Sequence, residues 1–333
     1  MLYMVSDAVD EMLITARSMR KMYGPHLALD DVSLDIPHGA VGILGPNGAG
    51  KSTFFKCLLG LIKTTSGSGK VLGHDIRTEG ELIRSKIGYM PEYDSLDPGL
   101  TAIDQVRYSG ELLGMNPDAA TQRAHEVLQY VGLKDQRYRK IETFSTGMKQ
   151  AAKLACALIH DPEILICDEP TNGLDQRARE FMLQTLRKTV IEGGRSVLMS
   201  SHVMDDVETV CDSIVMIHKG KIVVHRSIDD MVKQVEKEIE ISVWGGASQM
   251  ESELSSRGLS VRRMGRNMRV TKVDEDTYTE ILSSAAKAGV QVRKMTEYEP
   301  DLEDIFLLIM DKLGEEVRET GELMTSDHTG EGL

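Results

Sequence analysis

An α/β fold on a mainly parallel core sheet is predicted by three observations. Short apolar runs at residues 40–44, 164–167 and 196–199 have the length of strands buried on both faces. Stretches of helical period separate them, as in chains where strands and helices alternate. A glycine-rich segment, residues 45–53, joins the first run to the first helical stretch.

Along the chain, residues 1–12 read as a loose leader. Residues 14–35 carry two or three antiparallel strands around a turn at Gly24-Pro25. The run 40–44 is a strand and 51–61 a helix. Residues 64–90 read as further short strands, the last at 86–90. Residues 101–160 are mostly helical, with breaks at 114–117 and Gly132. A strand at 164–167, a helix at 177–190, a strand at 196–199 and a helix at 204–211 follow. Residues 213–218 and 221–225 form a hairpin around Lys219-Gly220. A second unit begins near Ile228, with a strand at 239–243, a helix at 249–257, a hairpin from 259–264 and 268–271, a helix at 278–288 and a strand at 290–295. That β-α-β-β-α-β order is the ferredoxin-like arrangement. The expected division is therefore a large domain at 13–227, with a helical subdomain at about 93–160, and a small α+β domain at 228–313 that ends in an amphipathic helix at 302–313. The tail, 314–333, carries six acids and one Arg and is read as disordered.

Composition excludes several function classes. Hydrophobic residues at 41% and charged residues at 27% are an ordinary globular balance. A net charge of −13 opposes general nucleic-acid binding, which needs cations on phosphates, so no nucleic-acid partner is expected. Cys57, Cys156, Cys167 and Cys211 form no C-x-x-C pair, and three lie in apolar runs, so they read as reduced thiols of a cytoplasmic protein. No signal peptide is visible, and no window approaches the roughly 18 apolar residues of a membrane helix. Service to a membrane would then run through a partner.

Residues 45–53, Gly-Pro-Asn-Gly-Ala-Gly-Lys-Ser-Thr, fit the phosphate-binding P-loop pattern between a strand and a helix. Gly45, Pro46, Asn47, Gly48, Ala49 and Gly50 would turn backbone N–H groups toward phosphate oxygens, and the helix start adds its positive dipole end. Lys51 would reach the β- and γ-phosphates of ATP, Ser52 would ligate Mg²⁺, and Thr53 completes the motif. Asp168 and Glu169 end the apolar run 164–167, at the strand end where α/β sheets bind ligands. Asp168 would hold Mg²⁺ and Glu169 would polarise the attacking water.

Residues 144–150, Phe-Ser-Thr-Gly-Met-Lys-Gln, resemble the signature loop of ABC ATPases, and they stand before residues 167–175, Cys-Asp-Glu-Pro-Thr-Asn-Gly-Leu-Asp. With the P-loop and Ser201-His202, the resemblance covers roughly residues 14–226 in the family's order and is similar to the ATP-binding subunits of ABC-2-type exporters. Residues 299–306 also look like the C-terminal segment of such subunits. The resemblance implies an ABC ATPase fold and a head-to-tail dimer with two ATPs, each between one chain's P-loop and the other's Ser145, Thr146 and Gly147. It implies that Tyr23 stacks on adenine, although Tyr23 also suits a strand-end packing residue. It makes His202 the switch histidine that contacts the γ-phosphate and positions Glu169, and it places Asp175 in the loop that crosses between subunits.

Three departures from the family pattern stand out. Glu92 replaces the usual Gln in residues 88–92, Gly-Tyr-Met-Pro-Glu. Its carboxylate would ligate Mg²⁺ or repel phosphate, or be a solvated loop acid; ligation is the preferred reading, because Mg²⁺ favours oxygen ligands. Thr146 replaces the first glycine of the usual Ser-Gly-Gly, and β-branching narrows the backbone there. Ala151 and Cys156 stand where the family often has Arg.

The function implied is the ATP-hydrolysing subunit of an ABC transporter. It would pair with a second copy of itself, or a paralogous ATPase subunit, and with an integral membrane permease, acting as an exporter at the cytoplasmic face of the membrane. The alternative is a soluble ABC ATPase acting on a macromolecular complex. Such proteins usually carry two cassettes or long coiled-coil insertions, whereas this chain has one cassette and no heptad run. The C-terminal unit reads as a dimer-stabilising appendage in preference to a regulatory ligand-binding module.

Overall fold

The computed structural model describes residues 12–234, 238–265, 267–272, 276–298, Leu302, Asp304 and Ile305. The expected leader, most of the helix at 302–313 and the acidic tail lie outside the described residues. The chain divides into two compact units, residues 1–228 and 229–333.

The first unit opens with β1 (Ile14–Tyr23) and β2 (His26–Ile36), paired antiparallel across the Gly24-Pro25 turn. Then come β3 (Ala40–Leu44), α1 (Lys51–Leu58), β4 (Ser66–Val71), β5 (His74–Asp75), α2 (Gly80–Lys86) and β6 (Ile87–Met90). A helical stretch follows, with α3 (Ala102–Leu112), α4 (Pro117–Tyr130) and α5 (Thr146–Leu158). β7 (Ile164–Asp168), α6 (Gln176–Ile191), β8 (Ser196–Ser201), α7 (Met204–Val210), β9 (Ser213–His218) and β10 (Lys221–Ser227) complete it.

Two sheets result. One is antiparallel, in the order β2-β1-β4-β5; the other runs β10-β9-β3-β8-β7-β6 and is parallel except at β10. Every residue of β3, β7 and β8 is buried, which is why residues 40–44, 164–167 and 197–199 run apolar without alternation. Phe54 and Phe55 of α1 are fully buried in a core shared with Ile14, Leu29, Ile43 and Ile166.

The helix starts are legible in side chains. Thr101, Asn116, Ser145 and Asp175 each accept a backbone N–H from the first turn of α3, α4, α5 and α6 respectively. Pro117 takes the first-turn position of α4, where its missing donor costs nothing. By contrast, α1 starts at Gly50 with no side-chain cap, so its first N–H groups remain available to an anion.

Two expectations are corrected. Residues 80–86, read among strands, form α2; only Ile83 of this uncapped seven-residue helix is buried, too little to leave a 3.6-residue period. The helix begun at Lys51 ends at Leu58 rather than 61, because the chain turns through Gly60 at φ 63°.

Around the boundary in sequence lies α8 (Ile228–Gln234), a helix the sequence reading lacked. The second unit then contains β11 (Glu238–Trp244), α9 (Ala247–Ser256), β12 (Val261–Met264), β13 (Asn267–Thr271), α10 (Thr277–Ala288) and β14 (Gln291–Tyr298). Its sheet is antiparallel in the order β12-β13-β11-β14. Ile239, Ile241, Met268 and Val270 from the sheet pack with Met250, Leu254 and Ile281 from the two helices. Among the described residues, no helix is long and apolar enough to cross a membrane.

Candidate active site

The carboxyl ends of four neighbouring parallel strands line up. Leu44 of β3 pairs with Ser201 of β8, Asp168 of β7 with Ser200 of β8, and Met90 of β6 with Cys167 of β7. The segments that leave these ends are the glycine-rich loop, Glu169, His202 and Glu92. Parallel pairing thus gathers residues far apart in sequence at one rim of the sheet.

The loop after β3 needs its glycines for close packing. At Gly45, φ is 155° and an added Cβ would sit 2.2 Å from the Ile217 carbonyl oxygen; at Gly50, φ is 114° and it would sit 2.6 Å from that of Ala28. Lys51 is only 6% exposed. Its Nζ donates to the Gly45 carbonyl at 2.7 Å and stands 3.5 Å from that of Pro46. The ammonium therefore bridges the loop from inside, and Gly45 and Pro46 act as its anchors.

Glu169 takes a left-handed conformation, φ 50°, which non-glycine residues adopt at a cost. Its surroundings hold it there. The Glu169 N–H donates to Ser200 Oγ at 3.0 Å, and the Ser200 hydroxyl donates to Asp168 Oδ1 at 2.7 Å. Glu169 Oε2 lies 2.8 Å from His202 Nδ1. Oε1 lies 3.4 Å from Lys51 Nζ, yet it is buried and makes no hydrogen bond. Both side chains of that ion pair are over nine-tenths buried, at 7% and 5% exposure.

Two clefts meet this cluster. One of about 340 Å³ is lined by Asn47, Gly48, Ala49, Gly50, Lys51, Ser52, Thr53, Glu92 and Glu169, with Tyr23, His26 and Ala28 at the β1–β2 hairpin. Tyr23 is 45% exposed, and Lys21 Nζ stands 4.9 Å from its ring centroid. The other cleft, of about 350 Å³, brings Ser52, Asp168 and Glu92 together with Lys56, Tyr89, Tyr93 and Asn172. A hydroxyl and two carboxylates are hard oxygen donors that suit Mg²⁺. Among the described residues no group of three or more His, Cys, Asp and Glu could hold a metal. Mg²⁺ typically takes one or two carboxylates and fills its other positions with substrate phosphate and water, so these donors fit it.

Ser145, Thr146, Gly147 and Asp175 line neither cleft. Ser145 and Asp175 cap α5 and α6. An added Cβ at Gly147 would lie 3.0 Å from Ala178 Cβ, and one at Gly173 3.4 Å from Thr146 Cγ2, so the two loops lie against each other. Thr146 itself is the first helical residue of α5 and not at positive φ, so a glycine is not required there. Ala151 is buried and Cys156 half-buried, and burial pushes the Cys156 thiol up to about 11. All four cysteines are free.

Several residues escaped the sequence reading. Ser200 ties Asp168 to Glu169 but looks like any strand residue. Asp206 of α7, fully buried, accepts from Thr171 Oγ1 and pairs with Arg179 of α6, joining the segments after Glu169, Asp175 and His202. The Tyr89 hydroxyl is buried without a hydrogen-bond partner, and burial beside Asp168 pushes its pKa up. No sequence signal marks these three, because each acts across the sheet or between helices.

Comparison with known proteins agrees with this geometry. The family described as ABC transporter matches residues 29–172. The chain is 34% identical over 312 residues to the linearmycin resistance ATP-binding protein LnrL of Bacillus subtilis (strain 168), covering 89% of this chain and 97% of the relative. It is 29% identical over 303 residues to the daunorubicin/doxorubicin resistance ATP-binding protein DrrA of Streptomyces peucetius, covering 89% and 92%. Among solved structures it is similar to the dimeric post-hydrolysis state of the ATP-binding cassette MJ0796 bound to ADP and Pi, with a TM-score of 0.60 and 27% identity over 64% of this chain and 98% of that one. With a phosphate-gripping loop, an oriented carboxylate and near-complete coverage of such a relative, the chain belongs to the ABC transporter ATP-binding proteins, as a subunit that binds and hydrolyses ATP.

Proposed function

We propose that this subunit drives an exporter through a separate integral membrane permease, working as a head-to-tail pair at the cytoplasmic face of the membrane. The relatives named for drug resistance support export. The dimeric cassette supports the pairing. So does the placement of Ser145, Thr146, Gly147 and Asp175 outside the clefts around Lys51, where a second chain would have to supply them.

The observation that carries the chemistry is the Glu169 carboxylate, with Oε2 held by His202 Nδ1 at 2.8 Å and Oε1 buried without a hydrogen-bond partner. Oε1 would accept a proton from the attacking water as its oxygen bonds to the γ-phosphorus. The bond to the bridging oxygen then breaks and ADP leaves with the electron pair. His202, 53% exposed, would reach the γ-phosphate while it orients Glu169. Lys51 would exchange its loop and carboxylate partners for the β- and γ-phosphates, and Tyr23 would stack on the adenine. Ser52, Asp168 and Glu92 would hold Mg²⁺, which supplies neutralising charge at the phosphates.

In this reading residues 13–227 are the nucleotide-binding domain, with residues 93–160 as its helical subdomain, and 228–313 are an appendage that supports pairing. The decisive variant is Glu169→Gln. It should keep ATP affinity, slow hydrolysis by roughly 10²–10⁴-fold, and run as an ATP-bound dimer in size exclusion. Wild-type turnover in this variant would remove Glu169 from the mechanism. A monomer at saturating ATP would remove the pairing.

A further inference from the structure

Lys153 is out of character for its position. It lies on the buried face of α5 among Ala152, Leu154 and Ala155, and is only 5% exposed. An ammonium there has lost its hydration and must recover it in hydrogen bonds. Its Nζ donates to the carbonyl oxygens of Glu92 at 3.0 Å and Tyr93 at 3.2 Å. One turn earlier on the same face, Lys149 Nζ pairs with Asp94 Oδ2 at 3.1 Å. Asp94 Oδ1 in turn accepts from the Leu96 N–H at 3.4 Å.

The stretch these lysines grip, residues 92–95, has little else to hold it. β6 ends at Met90, and α3 begins only at Ala102. Among the described residues, no backbone-to-backbone hydrogen bond of a turn or loop involves residues 92–95. Beyond the end of β6 and the buried Pro91, the position of Glu92 is held by side chains of α5. The same helix is capped by Ser145, eight residues before Lys153 and so about 12 Å along the axis.

We propose that Lys153 is a positioning residue that fixes Glu92 at the nucleotide-bound Mg²⁺ by holding the Glu92 and Tyr93 carbonyls, so that the Glu92 loop and the Ser145 loop move as one piece with α5. The inference rests on the reading of Glu92 as a group that reaches the metal. A neutral side chain at 153 would leave Glu92 chemically intact but free to swing out of the cleft it shares with Ser52 and Asp168.

The test compares the purified wild-type chain with Lys153→Met, Glu92→Gln and the double variant. A fluorescent ATP analogue is titrated without metal and across a Mg²⁺ series, and thermal unfolding is followed in parallel. Lys153→Met should leave metal-free affinity unchanged. It should raise the Mg²⁺ concentration for half-maximal binding by about tenfold, as loss of a group orienting a ligand does. The double variant should behave like Glu92→Gln alone, because both changes remove one interaction. Lys153→Gln, which keeps a donor, should fall between wild type and Lys153→Met, and it carries the test if the methionine variant does not fold. Superimposable Mg²⁺ curves for wild type and Lys153→Met, with Glu92→Gln shifted, would overturn the role of Lys153 alone. Additive effects in the double variant would reduce it to a packing residue. An unshifted Glu92→Gln curve would overturn the reading of Glu92 and this inference with it.

Discussion

Lys51 and Glu169 form a buried ion pair, each side chain at most 7% exposed. Removing one partner of such a pair strands the other without water. In the proposed mechanism ATP would offer anionic oxygens to Lys51 and so free Glu169 Oε1 for water. Lys51→Ala should lose a charge-assisted contact of about 1.5–3 kcal/mol, or about 10- to 150-fold in Kd for ATP. Titration with a fluorescent ATP analogue measures this directly, and equal affinity in both forms would mean the loop does not grip phosphate. Ser200 shows how little a residue's own identity discloses at this scale. Its hydroxyl links Asp168 to the strained Glu169 backbone, yet serine in a buried strand carries no mark of that task.

At the scale of elements, helices are placed by their caps and used at their ends. Ser145 and Asp175 spend a side-chain oxygen on capping α5 and α6, and both remain exposed. Helix α5 also touches β6 through His160, just beyond its C-terminal end. His160 Nε2 lies 3.2 Å from the Ile87 carbonyl oxygen, while Nδ1 is buried without a hydrogen-bond partner. Burial lowers the His160 pKa below its ordinary 6.5, outweighing the Ile87 contact and the nearby Asp161. The unfolded chain therefore takes up this proton first as pH falls. The contribution to stability is complete above the unfolded pKa and is lost as pH drops through 6.5 toward the lower folded value. His160→Gln stays neutral and can still donate to Ile87. Urea unfolding at pH 7.5 and 5.5 should show a smaller acid-side loss in this variant than in wild type. Parallel losses would show that His160 is not part of the acid response.

On the scale of the whole molecule, the proposed nucleotide contacts fall on two separate surfaces. The clefts hold the P-loop, Asp168, Glu169 and Glu92, whereas Ser145 to Gly147 line neither. A composite site has a distinctive genetic signature. A Ser145→Arg chain mixed with a Lys51→Ala chain should assemble heterodimers with one intact site and recover part of the ATPase rate that each lacks alone. Heterodimers shown by differential tags but without recovered activity would argue against the head-to-tail arrangement.

Local order is what the sequence alone determined. The P-loop and the Asp168-Glu169 strand end were legible because phosphate binding requires glycines, a lysine and a helix start in consecutive positions. The β-α-β-β-α-β order of the second unit was legible through turn residues and hydrophobic period. The short helix α2 was not, since one buried residue makes no period. The long-range links were decided only by the tertiary structure. Asp206 meets Thr171 across 35 residues, and Lys153 meets Glu92 across 61. A buried charge must find its partner in three dimensions, and neither sequence spacing nor hydrophobic pattern records where parallel strands and packed helices will bring that partner.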